Sequence, residues 1–219
     1  VPNGVDAGRF SRADGDGFRK AYGIGPSEKI VLCVSRIDYQ KNQLGLVRAF
    51  AAFSEQHPDH RLVLIGPVTV ESYRDELLAE MERLGVKSKT ILVEGLRPDD
   101  PLLAGAYRAA EMFVLPSVHE PFGIVVLEAW ASGVPVIASR VGGIPGFAAD
   151  RKNILMFEPG NDGELAERME ELAESAATRA ALSKNAFNEV TTHYDWSKIA
   201  ERYLEIYAQA VKGVARRTR

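Results

Sequence analysis

Glu120 and Glu128 bound the stretch Glu120-Pro121-Phe122-Gly123-Ile124-Val125-Val126-Leu127-Glu128. Glu128 lies inside an apolar run that continues through Ala129-Trp130-Ala131 and reads as the start of a buried helix. An unpaired ionised carboxylate costs at least several kcal/mol to remove from water. Glu128 is therefore expected either to pair within the protein or to serve a polar ligand. Pro121 fits a first helical position, where its missing N–H costs little, and Gly123 admits close approach to the backbone. The free N–H groups of Phe122, Gly123 and Ile124 then form a cradle for a phosphate or for sugar hydroxyls. At 1.5 Å of rise per residue the two carboxylates stand up to about 12 Å apart. That is too far for an acid/base pair on one bond, and suited to gripping opposite ends of an elongated ligand. The alternative makes Glu120 a helix cap and Glu128 half of a buried salt bridge.

A second constellation is cationic. Arg36 directly follows an apolar run, and Lys41 comes five residues later at the start of the next helical pattern. Cations there oppose the helix dipole, which favours anions by roughly 0.3 to 1 kcal/mol. An anionic ligand such as a diphosphate, with Arg36 as a planar fork and Lys41 as a point charge, removes the conflict. The competing arrangement pairs Arg36 with Asp38 or Glu120 and leaves Lys41 in solvent. The stretch Val141-Gly142-Gly143-Ile144-Pro145-Gly146 lacks the glycine spacing of a dinucleotide loop, and is either a flexible loop near the cleft or a substrate contact. His119 adjoins Glu120, whereas His57, His60 and His193 lie in hydrophilic surroundings without metal-ligand spacing. No nucleophile triad or metal cluster can be named.

These residues need a scaffold that brings them to one edge. From about residue 29 to 156, short apolar runs alternate with amphipathic segments, the βαβ pattern of a doubly wound, mainly parallel six-stranded α/β sheet with helices on both faces. Strands are expected at residues 30–35, 62–65, 90–93, 112–115, 134–138 and 154–157, and their unbroken apolar character suits burial on both faces. Helices are expected at 42–56, 72–84, 101–109 and 123–132, then at 162–173, 178–190 and 196–211. The unusual residues fall at the strands' carboxyl ends, where open α/β sheets bind ligands.

Composition bounds the rest. With 219 residues, 46% of them hydrophobic, the chain supports one domain with a substantial core. A net charge of -3 gives no general attraction to nucleic acid or anionic membrane, and the terminal run Arg216-Arg217-Thr218-Arg219 reads as a solvated end. The one cysteine, Cys33, sits in an apolar run, which fits a reducing cytoplasm. No apolar run reaches the roughly 18 to 20 residues that span a bilayer. The opening Val1-Pro2-Asn3-Gly4-Val5-Asp6 lacks a methionine and is expected to be cut from something longer.

Taken in order, the motifs carry a family resemblance. Ser35-Arg36-Ile37-Asp38 with Lys41-Asn42, Glu94-Gly95, His119-Glu120-Pro121-Phe122-Gly123 with Glu128, Ala131 with Gly133 and Pro135-Val136-Ile137-Ala138-Ser139, and Val141-Gly142-Gly143 resemble the carboxy-terminal domain of a retaining glycosyltransferase of family 4 with the GT-B fold. The likeness covers nearly the whole chain as one domain: an entry segment (1–28), an α/β core (29–160) and closing helices (161–219), of which the last packs toward a missing amino-terminal domain. It implies that Arg36 and Lys41 bind the diphosphate of a UDP-, GDP- or ADP-hexose, that Glu128 binds its ribose, and that Glu120 contacts the sugar hydroxyls. Backbone groups at Phe122, Gly123 and Ile124 complete that pocket, and Gly95, Leu96 and Arg97 lie near the base. The implied catalytic set is Glu120, Arg36 and Lys41, with no cofactor and no metal. The acceptor, a sugar or a lipid, binds mainly to the missing half, so the fragment alone is expected to be inactive in transfer. The protein would then be cytoplasmic, with that half allowing a peripheral place on the inner membrane. The sequence departs from its relatives at Gly146, where many carry glutamate, and at Asn153-Ile154, where Asn-Gly is usual. Two alternatives remain: a GT-B relative such as a nucleotide-sugar epimerase or a phosphorylase, the latter without a recognisable pyridoxal lysine, and a non-catalytic nucleotide-sugar-binding module.

Overall fold

Six apolar runs form one parallel sheet: β1 (Lys29–Val34), β2 (His60–Ile65), β3 (Thr90–Val93), β4 (Met112–Leu115), β5 (Val136–Ser139) and β6 (Leu155–Phe157), in the order β3-β2-β1-β4-β5-β6. The computed structural model describes the backbone of residues 1–217 and side chains as far as residue 210, so the basic run at 216–219 lies outside the described side chains. The helices are α1 (Ala7–Ser11), α2 (Gly15–Ala21), α3 (Gln43–Gln56), α4 (Glu71–Arg83), α5 (Pro101–Ala109), α6 (Ile124–Ala131), α7 (Asp162–Glu174), α8 (Ala176–His193) and α9 (Trp196–Arg217). None among the described residues is long and apolar enough to cross a membrane.

Side chains alternate across a strand, and here both faces are covered. Ile30 and Leu32 of β1 enter a core shared with α1, α2, α5 and α6, while Val31 and Cys33 enter a second core shared with α3, α4 and α7. That double burial explains the unbroken apolar runs, and it pushes the Cys33 thiol up to about 11.

The structure departs from expectation at three places. The polar opening contains α1 and α2, of 5 and 7 residues, too short to show a period; Asp6 and Asp14 cap them by accepting the N–H groups of Arg9 and Gly17. Next, α6 begins at Ile124, so Pro121 is not its first residue. Gly123 is the cap instead, in the left-handed region at φ 96°, where a Cβ would stand 2.5 Å from Ile144 Cδ1.

The third departure is His60, which opens β2 fully buried at the edge opposite the strands' carboxyl ends. Its Nδ1 lies 3.0 Å from Asp59 Oδ1 and its Nε2 2.8 Å from Glu111 Oε2. Burial pushes the Glu111 carboxyl up, but the hydrogen bond and charge of His60, with Lys29 and Arg179 nearby, hold it below its usual value. A depressed carboxylate contributes stability above its unfolded pKa of about 4 and loses it as pH falls through the folded value. Glu111→Gln should therefore cost about 1–3 kcal/mol at pH 7, and urea unfolding should show a smaller gap at an acid pH below the unfolded value of about 4. An equal gap at both pH values would contradict this account.

Candidate functional site

β1 and β4 are neighbours, yet the chain leaves β1 toward β2 and leaves β4 toward β5. Where connections diverge, the carboxyl ends of the strands open a crevice. A cleft of about 370 Å³ lies there, lined by Val34 at the end of β1, Ser35 and Arg36 after it, Leu115 at the end of β4, Lys41, residues 120–125, and Asn3.

Lys41 and Glu120 meet across it. Lys41 Nζ donates to Glu120 Oε2 at 2.8 Å, with each side chain only 11% exposed. Buried Asp38 shapes the turn that aims Lys41, its carboxylate accepting the N–H groups of Gln40 at 2.9 Å and Lys41 at 3.2 Å. Asn42 follows at φ 51° and caps α3 through the Gly45 N–H. Arg36 is the looser cation: 51% exposed, it reaches Asp38 at 3.2 Å and Gln40 Oε1 at 3.3 Å. Arg36 thus pairs with Asp38, while Lys41 pairs with Glu120 and does not point into solvent.

Glu120 is held through its backbone as well. The Gly143 N–H donates to the Glu120 carbonyl at 3.0 Å. A Cβ on Gly142 would stand 1.9 Å from that carbonyl oxygen, and one on Gly143 2.4 Å from the Pro121 carbonyl oxygen. This glycine-rich stretch therefore lets backbone pack against backbone and supports the acidic loop from behind. At Gly146, by contrast, a Cβ would meet nothing within 4 Å, so the position has room for a side chain. Val118 and His119 donate their N–H groups to the Gln40 carbonyl at 2.9 and 3.4 Å, tying the loop after β4 to the loop after β1. Beyond Glu120, the N–H groups of Phe122, Gly123 and Ile124 donate to no group among the described residues.

Glu128 stands more than a turn into α6 and does not line the cleft. Its Oε2 accepts the Tyr107 hydroxyl at 2.6 Å. The partner is a neutral phenol, so the buried salt bridge does not form. Burial raises the Glu128 carboxyl above its usual value, opposed by the Tyr107 hydrogen bond and the charge of Arg9. Burial and the Glu128 charge push the Tyr107 hydroxyl well above its own. Gly95, Leu96 and Arg97 follow β3, an edge strand two positions from β1, and also lie outside the cleft. Gly95 has φ 95°, Leu96 packs on the core, and Arg97 pairs in solvent with Asp99 at 2.7 Å. The fold thus gathers Arg36, Lys41, Glu120, Phe122, Gly123 and Ile124, and sets Glu128 and the Gly95 loop apart.

Two further cleft residues carried no role in the sequence. Ser35 stood beside Arg36 at the strand end, which is a usable signal. Asn3 had none, because its place is fixed by remote partners: the Val5 N–H donates to the Tyr194 carbonyl at 2.8 Å and the Trp196 N–H to the Val5 carbonyl at 3.0 Å. Among the described residues no group of three or more His, Cys, Asp or Glu side chains is placed to hold a metal ion.

A family model described as glycosyl transferases group 1 matches residues 15–189. A D-inositol 3-phosphate glycosyltransferase of Actinosynnema mirum is 35% identical over 217 residues, covering 96% of this chain and 51% of that protein. The crystal structure of Anabaena HepE in complex with UDP and glucose superposes with a TM-score of 0.83 at 27% identity, over 94% of this chain and 55% of that one. The C-terminal domain of a glycosyl transferase group 1 family protein from Francisella tularensis matches with a TM-score of 0.78 at 27% identity, over 88% of this chain and 99% of that one. The chain spans about half the length of the curated relatives it matches.

Two stability tests follow from this geometry. Gly142→Ala should cost at least about 2 kcal/mol, since the new methyl meets a carbonyl in a backbone region that favours glycine, while Gly146→Ala should stay within about 0.5 kcal/mol. Equal melting temperatures for the two variants would show that the close approach carries no weight. A carboxyl raised by burial costs stability above its folded pKa and nothing below its unfolded one. Glu128→Gln should accordingly raise the melting temperature by about 2–4 °C at neutral pH, with the gain vanishing below about pH 4; a variant less stable at pH 7 would mean that the carboxylate is structurally required.

Proposed function

The chain belongs to the group 1 glycosyl transferases, and from that premise we propose that it is the donor-binding half of a retaining, family 4 enzyme that transfers a hexosyl unit from a nucleotide-sugar. The observation that carries this proposal is the cleft between β1 and β4, where Arg36, Lys41 and Glu120 converge with the N–H groups of Phe122, Gly123 and Ile124. UDP-hexose is the favoured donor, because HepE, the solved neighbour at 27% identity, is in complex with UDP and glucose.

The two cations play different parts. An exposed ion pair contributes about 0–1 kcal/mol, so Arg36 leaves Asp38 at little cost and turns its planar fork onto the diphosphate. Lys41 stays with Glu120, because separating a buried pair strands a charge, but its ammonium has three N–H donors and Glu120 occupies one. The remaining two face the cleft's anion. In a retaining transfer the diphosphate departs as the acceptor attacks from the same face, and the cations stabilise the charge that develops. They stand where a metal ion otherwise neutralises a diphosphate, and no cofactor takes part. Glu120, oriented by Lys41, holds sugar hydroxyls and acts as a positioning group more than a base. The half-buried carboxylate of Glu128 takes the ribose hydroxyls, which explains a group kept at a cost to stability. Gly95, Leu96 and Arg97 border the base. A second half of the polypeptide, in the cytoplasm, binds the acceptor sugar or lipid.

A thermal-shift panel of UDP-, GDP- and ADP-sugars should show stabilisation by UDP-glucose above the others, since ligand binding to the native state raises stability by mass action. In calorimetry Arg36→Ala and Glu128→Gln should each weaken UDP-glucose binding about tenfold or more. Wild-type affinity in both variants would sink the proposal.

A further inference from the structure

Ser35 directly follows β1 and lines the cleft beside Arg36. Its backbone is fixed: the N–H donates to the Ile65 carbonyl at 2.9 Å, and Gly66 packs so closely that a Cβ there would stand 1.8 Å from the Ser35 carbonyl oxygen. Its side chain is fixed by Gln43, the fully buried first residue of α3.

Gln43 Nε2 lies 2.6 Å from the Arg36 carbonyl oxygen and 2.8 Å from Ser35 Oγ. A backbone carbonyl only accepts, so the atom facing it is the amide nitrogen, and the second proton of the same NH2 group goes to Ser35 Oγ. The amide cannot be turned over without setting oxygen against oxygen. Its own carbonyl, Oε1, is buried without a partner, a cost the fold bears to keep the nitrogen in place. A hydroxyl that accepts in this way keeps its proton for another acceptor. Among the described residues, the one side chain besides Gln43 that hydrogen-bonds to Ser35 Oγ is Cys33, its Sγ at 3.7 Å, and sulfur is a weak acceptor. The Ser35 proton is thereby left for a group in the cleft.

We propose that Ser35 is a further donor-binding residue, its hydroxyl donating to a diphosphate oxygen of the nucleotide-sugar beside Arg36 and Lys41, and that Gln43 is the positioning residue that fixes the direction of that donation. The assignment rests on the donor-binding function proposed above and adds a neutral donor to its two cations. Gln43 touches no ligand. It sets the polarity of Ser35 and, through the Arg36 carbonyl, the turn that launches the arginine.

The test measures UDP and uridine binding to the 219-residue chain, by calorimetry and ligand-observed NMR respectively, for the wild type, Ser35→Ala, Ser35→Thr, Gln43→Met and the double variant Ser35→Ala with Gln43→Met. Ser35→Ala should weaken UDP about tenfold and leave uridine unchanged, while Ser35→Thr keeps the hydroxyl and the affinity. Gln43→Met should produce a similar phosphate-dependent loss, and the double variant should be no worse than Ser35→Ala, because both act on one interaction. Wild-type UDP affinity in Ser35→Ala, or equal losses for UDP and uridine, would overturn the assignment while leaving the donor-binding function standing. Failure of the wild type to bind UDP would overturn both.

Discussion

The cleft depends on one ion pair. Lys41 comes from the turn after β1 and Glu120 from the loop after β4, two segments that the topology sends in opposite directions. The sheet sets the two strand ends side by side but does not fix how their loops join. Their meeting is enforced by a contact of 2.8 Å between two side chains almost withdrawn from water, where losing either partner strands a charge at a cost of about 3–5 kcal/mol. The backbone then repeats the join, with Val118 and His119 donating to Gln40 from one side and Gly143 donating to Glu120 from the other. A site held from several directions before any ligand arrives has little reorganisation left to do.

That stiffness is unevenly distributed. Lys41 and Glu120 are buried in each other's company, whereas Arg36 is half in solvent. One cation is fixed in the scaffold and the other stands open to solvent. Behind them the fold tolerates polar atoms it leaves unmatched: Gln43 Oε1, Ser117 Oγ and Trp130 Nε1 are buried without partners. Glu128 differs in having a partner, the Tyr107 hydroxyl, but that partner is neutral and burial still raises its carboxyl. Imperfect satisfaction of this kind concentrates where a protein serves a purpose other than its own stability.

What the sequence discloses follows the distance over which each feature is determined. Strands covered on both faces must be apolar throughout, so the six runs were legible, with β3, β4 and α5 matching to the residue. Arg36, Lys41 and Glu120 were legible because strand ends are local landmarks. α1 and α2 were hidden, since two aspartate caps and not a repeating pattern create them. The sequence placed His60 in polar company, but its burial depends on Glu111, 51 positions away. The glycine-rich stretch announced its composition and concealed its neighbour, as only the fold shows that Gly142 and Gly143 lie against the backbone of Glu120 and Pro121. The partner of Glu128 was equally out of view, because Tyr107 lies on another helix.

Val5 joins segments from the two ends of the described chain: it donates to Tyr194 and accepts from Trp196, while Gly4 lies so close under the Trp196 ring that a Cβ would stand 2.8 Å from it. The knot ties the root of α9 to the opening segment that carries Asn3, one wall of the cleft. The root of α9 is thereby joined to one wall of the cleft through main-chain hydrogen bonds, by a route that bypasses the sheet.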